Sequence, residues 1–166
     1  SLYLCEAATG KVLKRLTDVN ADVEMVGQDD KFVYYTSAEV SPVDNHLFRV
    51  EVKSGKKTRL TQAEGWHKVT MSGDMKYFVD NYSSLKVPRV ILLVQNDGKK
   101  VKELLKAEDP TKDYNFGEIT LGTVKSADGK FNNYYRLIKP MNFDASRKYP
   151  VIVYVYGGPH SQMVKN

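Results

Sequence analysis

The run Lys148–Gln162 (KYPVIVYVYGGPHSQ) holds the residues of this sequence whose types and spacing could do chemistry. Val151 to Tyr156 is apolar on both faces, which predicts an interior strand of a covered sheet. It stops at Gly157-Gly158-Pro159, a turn where the missing side chains let backbone approach a ligand closely. Tyr156 places a phenol beside that turn. A phenolic O–H aimed at a developing oxyanion can lower a barrier by ~3–4 kcal/mol. The partners of such a donor are not in the sequence. No serine has glycine two residues to either side, as a nucleophile elbow requires, and Ser161 stands between Pro159 and Met163. Without a nucleophile and its base, covalent acyl transfer cannot proceed. His46, His67 and His160 are scattered, and His160 reads as a loop residue. There is no CxxC or HxxxH spacing, and Cys5 is the only cysteine, so neither a metal site nor an internal disulfide is expected. Asp29-Asp30 and Asp128-Gly129 are turn residues, lacking the alternating acidic ligands of a calcium loop.

The elements around this stretch are strands. Three segments resemble one another: Leu2–Thr17, Leu47–Thr61 and Arg89–Ala107. Each reads as a strand, a tight glycine turn and a second strand. The turn glycines Gly10, Gly55 and Gly98 are 45 and 43 residues apart. Between them lie two further pairs: Val23–Val26 with Phe32–Thr36, and Lys68–Met71 with Tyr77–Asp80. The polar turns Gln28-Asp29-Asp30 and Ser72-Gly73-Asp74 join these pairs. Four strands in a repeat of this length are the mark of propeller blades. A β-sandwich of hairpins would share the strands but not the long period. Within this pattern Tyr34-Tyr35 fills the two faces of one strand, as does Tyr134-Tyr135, and Trp66-His67 reads as packing at a blade junction. The repeat stops near Ala107. A polar, proline-containing linker follows, and then strand candidates at Glu118–Lys125, Asn133–Ile138 and Pro150–Tyr156, the first two joined by Ala127-Asp128-Gly129-Lys130.

Composition agrees with a strand-rich globular chain. It is 42% hydrophobic and 27% charged, with 11 tyrosines. The net charge of +5 comes from basic residues spread along the chain, with Lys56-Lys57 and Lys99-Lys100 sitting after turn glycines. No basic stripe or nucleic-acid module is present, so no nucleic-acid partner is expected. No apolar stretch approaches the ~18 residues of a membrane span. The chain begins in strand-like sequence and stops just past another, so it reads as a piece of a longer protein.

Lys148-Tyr149-Pro150, Val155-Tyr156-Gly157-Gly158-Pro159 and Ser161-Gln162 resemble the start of the hydrolase domain in the prolyl oligopeptidase superfamily. The closest likeness is to the dipeptidyl peptidase IV branch, of bacterial type. Tyr135–Pro140 followed by Asn142-Phe143-Asp144 is similar to that family's preceding strand and loop. The resemblance implies a mainly β chain of partial propeller blades followed by the first strands of an α/β-hydrolase. Residues 1–107 would be the C-terminal blades, 108–117 a linker and 118–166 the N-terminal hydrolase strands. It implies a cofactor-free serine exopeptidase that takes short peptides with proline or alanine second, with Tyr156 as oxyanion donor. It further implies a periplasmic or secreted parent, possibly a homodimer, of which this piece alone is inactive because the catalytic serine, aspartate and histidine are absent. An acylaminoacyl peptidase or an oligopeptidase of the superfamily, and a non-catalytic propeller scaffold, are the alternatives.

Overall fold

A computed structural model of the chain describes residues 1–158 and 162–166. They form two compact units: Ser1–Glu108 with Asn166, and Asp109–Lys165. The described residues form strands and turns, and none of them forms a helix long and apolar enough to cross a membrane.

The first unit opens with the hairpin β1 (Tyr3–Cys5) and β2 (Val12–Arg15). Two four-stranded antiparallel meanders follow. One is β3 (Val23–Gln28), β4 (Phe32–Ser37), β5 (His46–Glu51) and β6 (Lys57–Arg59). The other is β7 (Trp66–Met71), β8 (Tyr77–Ser83), β9 (Val90–Gln95) and β10 (Lys100–Lys106). These are the propeller blades that the glycine period predicts. Gly10, Gly55 and Gly98 each take a positive φ (72°, 76° and 93°), the left-handed conformation that side chains resist, so the turns fall at these positions. The carboxylate of Asp29 closes the β3–β4 turn by accepting the Lys31 and Phe32 N–H groups.

The first unit has two cores, one on each face of β4. Tyr34 packs with Leu47, Leu60, Phe78 and Val94 between the two blades, joined by Val26, Met71 and Met75. Val33 and Tyr35 face the other way, with Phe48, Val50, Leu2 and Leu16, against the β1–β2 hairpin. Both tyrosines are fully buried, and successive residues of a strand point to opposite faces, so the adjacent pair fills both cores as expected. Tyr35 stacks on Phe48 with ring centroids 5.4 Å apart. Lys14 crosses from β2 to donate to the Val52 and Lys53 carbonyls at 3.0 and 2.8 Å.

In the second unit, β11 (Ile119–Lys125) and β12 (Asn132–Ile138) form a two-stranded antiparallel ribbon in unbroken register from Ile119↔Ile138 to Lys125↔Asn132. Gly129 turns it, with φ 72°. Pro150–Tyr156 is not a strand: residues 151–158 are irregular, and Val151 to Tyr156 are all exposed. An interior strand needs a hydrogen-bonded neighbour on each edge. Among the described residues, β11 and β12 pair only with each other, and no strand runs beside residues 151–156.

Candidate functional site

Tyr156 lies at the end of this irregular stretch, 59% exposed. Its ring folds over Gly158. A Cβ built on Gly158 would stand 2.6 Å from Tyr156 Oη and 2.7 Å from Cε1, so the phenol occupies space that only glycine leaves open. The loop leading to it is fixed by local bonds. Asp144 accepts from the backbone N–H and the hydroxyl of Ser146 at 2.9 and 2.7 Å, and these bonds hold its carboxyl below the usual carboxylate range. Tyr149 Oη accepts the Asp144 N–H at 3.0 Å while its ring stacks on Phe143, and Lys139 lies over the other aromatic partner at 5.2 Å from the Phe143 centroid. The outcome is an exposed phenol folded back over Gly158, with no described base or nucleophile beside it. Pro159, His160 and Ser161, the rest of the motif, lie outside the described residues.

The histidines are scattered along the sequence, but the structure brings two of them together. His46 on β5 and His67 on β7 belong to different blades, and their ring centroids are 5.1 Å apart. Both are buried, at 2% and 1% exposure. His67 Nδ1 faces both Asp80 oxygens at 2.9 Å, and Nε2 faces the Ala63 carbonyl at 2.8 Å. All of these are acceptors, so only a ring with a proton on each nitrogen donates to both sides. Tyr82 stacks on His67 with ring centroids 4.7 Å apart.

His46 has a different environment. Its Nδ1 lies 3.1 Å from Thr61 Oγ1, which also accepts the Leu47 N–H at 3.0 Å. Burial, then the charges of His67 and Arg59, push its pKa down to about 4, with Asp44 opposing. Backbone links surround the pair. Asn45 and Trp66 form a parallel bridge, His67 N–H donates to the Asn45 carbonyl at 3.0 Å, and Gly65 N–H donates to Asp44 Oδ1 at 2.9 Å. No signal in the sequence marks this meeting, because 21 residues and a blade boundary separate the two rings. Among the described residues, no three His, Cys, Asp or Glu side chains converge so as to hold a metal ion.

Comparison with known proteins agrees with this architecture. Residues 1–89 match the family described as the dipeptidyl peptidase IV (DPP IV) N-terminal region. Dipeptidyl peptidase 8 of Homo sapiens is 32% identical over 147 residues, covering 82% of this chain and 16% of the relative. Dipeptidyl peptidase 4 of Arthroderma otae is 28% identical, covering 98% of this chain and 22% of the relative. Among solved structures, a putative dipeptidyl aminopeptidase IV from Bacteroides ovatus superposes with TM-score 0.81 at 42% identity, covering 94% of this chain and 22% of that one. Porphyromonas gingivalis dipeptidyl peptidase 4 superposes with TM-score 0.89 at 31% identity, covering 98% and 24%. The chain thus spans about a quarter or less of the length of each of these four proteins. With the family match running from the first hairpin through the first blade and into the second as far as Arg89, more than half of the chain, the chain belongs to the dipeptidyl peptidase IV family.

Proposed function

We propose that this chain is part of a serine exopeptidase that releases dipeptides from peptide N-termini, with proline or alanine as the second residue. The observation that carries the reading is the family match over residues 1–89 together with 42% identity to a solved dipeptidyl aminopeptidase IV. In this reading residues 1–107 are the C-terminal blades of the propeller, 108–117 a linker, and 118–166 the opening strands of the hydrolase domain. Tyr156 donates its hydroxyl to the oxyanion of the tetrahedral intermediate. The serine that attacks and the histidine that takes its proton belong to parts of the protein beyond these 166 residues, so the piece alone is inactive. The propeller admits short, unfolded peptides, and the parent works in the periplasm or outside the cell as a homodimer.

The test is made on the full-length protein with a glycyl-prolyl anilide. Turnover with a free amino terminus but not a blocked one supports the dipeptidyl activity, and the reverse preference points to an acylaminoacyl peptidase. Tyr156→Phe should lower kcat about 100-fold or more with little change in KM, because the lost bond serves the transition state. An unchanged kcat removes Tyr156 from the mechanism, and no turnover of either anilide overturns the peptidase reading.

A further inference from the structure

We propose that the paired rings of His46 and His67 form an acid-sensitive joint between the two four-stranded blades, closed while His46 is neutral and loosened when a second proton enters it. The proposal stands apart from the peptidase reading and concerns the propeller alone.

The two rings come from separate sheets, lie 5.1 Å apart, and are shielded from water. One site is built for a proton and the other is not. His67 has an acceptor at each nitrogen, and Asp80 supplies a buried counter-charge. His46 has the Thr61 hydroxyl, which can donate to Nδ1 of a neutral ring. With His67 holding a proton on each nitrogen, a proton on His46 would place two imidazolium rings 5.1 Å apart, where the low local dielectric strengthens their repulsion.

The charged and titratable groups around the pair come from every element packed on it. On the side of the first blade they are Asp44, just before β5, and Arg59 on β6. Asp44 opposes the burden of positive charge on His46, and Arg59 adds to it. On the side of the second blade they are Asp80 and Tyr82, both on β8, with Glu103 of β10 acting on Tyr82. Asp80 is already committed to His67, so among the described residues Asp44 is the carboxylate left to answer a second imidazolium, and Asp44 Oδ1 is holding the Gly65 N–H and the Asn166 amide. Protonating His46 therefore draws on the same carboxylate that ties the two blades together.

An opened joint exposes His46, which then binds a proton near its ordinary pKa of about 6.5, whereas the closed joint resists it until about pH 4. Opening is favoured as pH falls between these limits.

The experiment is amide hydrogen exchange on the full chain, corrected for intrinsic exchange. The seam amides are those of Asn45, Gly65 and His67, and the reference amides are those of Tyr35 and Phe48 inside one blade. From about pH 6.5 to about pH 4.5 the seam amides should speed up at least about tenfold relative to the reference. His46→Asn, which keeps a polar group near Thr61 and cannot titrate, should hold this change within about threefold. Seam protection that stays constant over the range in the unsubstituted chain overturns the proposal, as does an undiminished acid response in the variant. Should the variant fail to fold, ring 15N shifts of the unsubstituted chain decide. Protonation of His46 must coincide with the acceleration, and titration at a separate pH overturns the joint.

Discussion

Tyr34 and Tyr35 are neighbours in β4 that differ by one bond: Tyr34 Oη donates to Asp29 Oδ2 at 2.9 Å, whereas Tyr35 Oη is buried without a partner among the described residues. Removing a bonded hydroxyl and removing an unbonded one have opposite consequences. Tyr34→Phe should cost ~1–2 kcal/mol, the loss of a bond to a charged acceptor. Tyr35→Phe should be neutral or slightly stabilising, since it relieves a desolvated hydroxyl. Urea unfolding of the two variants should place the Tyr34→Phe midpoint below that of the unsubstituted chain and the Tyr35→Phe midpoint at or above it. Reversal of that order would break the assignment.

The same pair sets an alkaline limit. Burial, then the bond to Asp29 and its charge, push the Tyr34 hydroxyl up to about 12, with Arg49 opposing. Burial, with Glu39 adding, raises Tyr35 as well. An unfolded tyrosine loses its proton near ~10. Because the folded values lie above the unfolded one, this stability is complete below about pH 10 and is lost as pH rises toward about 12. Unfolding midpoints measured across that window should fall. In Tyr34→Phe the fall should be shallower.

Two glycines give a contrast in backbone geometry. Gly65 has φ 133°, and a Cβ there would stand 2.3 Å from the Ser83 carbonyl oxygen. Gly65→Ala should therefore cost more than ~2 kcal/mol, through strain and collision with backbone that cannot move aside. Gly73 has nothing within 4 Å of the corresponding position. Gly73→Ala should stay within ~0.5 kcal/mol. Thermal melts of the two variants test the pair, and a Gly65→Ala protein as stable as the unsubstituted one would contradict the geometry.

Gly158 bears on the proposed oxyanion role of Tyr156. A methyl group there would displace the phenol, whose surroundings are open, so the chain can adjust without unfolding. In the full-length protein Gly158→Ala should lower kcat while leaving the melting temperature within experimental scatter. A full kcat in that variant would mean that the folded-back ring is not the productive position.

What the sequence disclosed was what neighbours along the chain decide. The turns at Gly10, Gly55 and Gly98 follow from a local backbone need, and the opposite facing of Tyr34 and Tyr35 follows from strand geometry. Their fixed period then pointed to blades. Two features escaped. The strand expected over Pro150–Tyr156 rests on apolar content, but a strand exists only where other strands border it, and composition cannot supply them. The meeting of His46 with His67 depends on how one sheet stacks on the next. Each histidine is locally unremarkable, and Asp80, whose carboxylate faces His67 Nδ1, lies 13 positions further on in β8.

β4 forms a wall of two cores at once, so the sheets are not independent tiles that can be lifted singly. In a linear array of repeats the stability of each member is partly that of its contacts with the members before and after it. Here a fault in β4 would weaken both contacts together, and local melting begun there would spread toward the β1–β2 hairpin and toward the second blade alike.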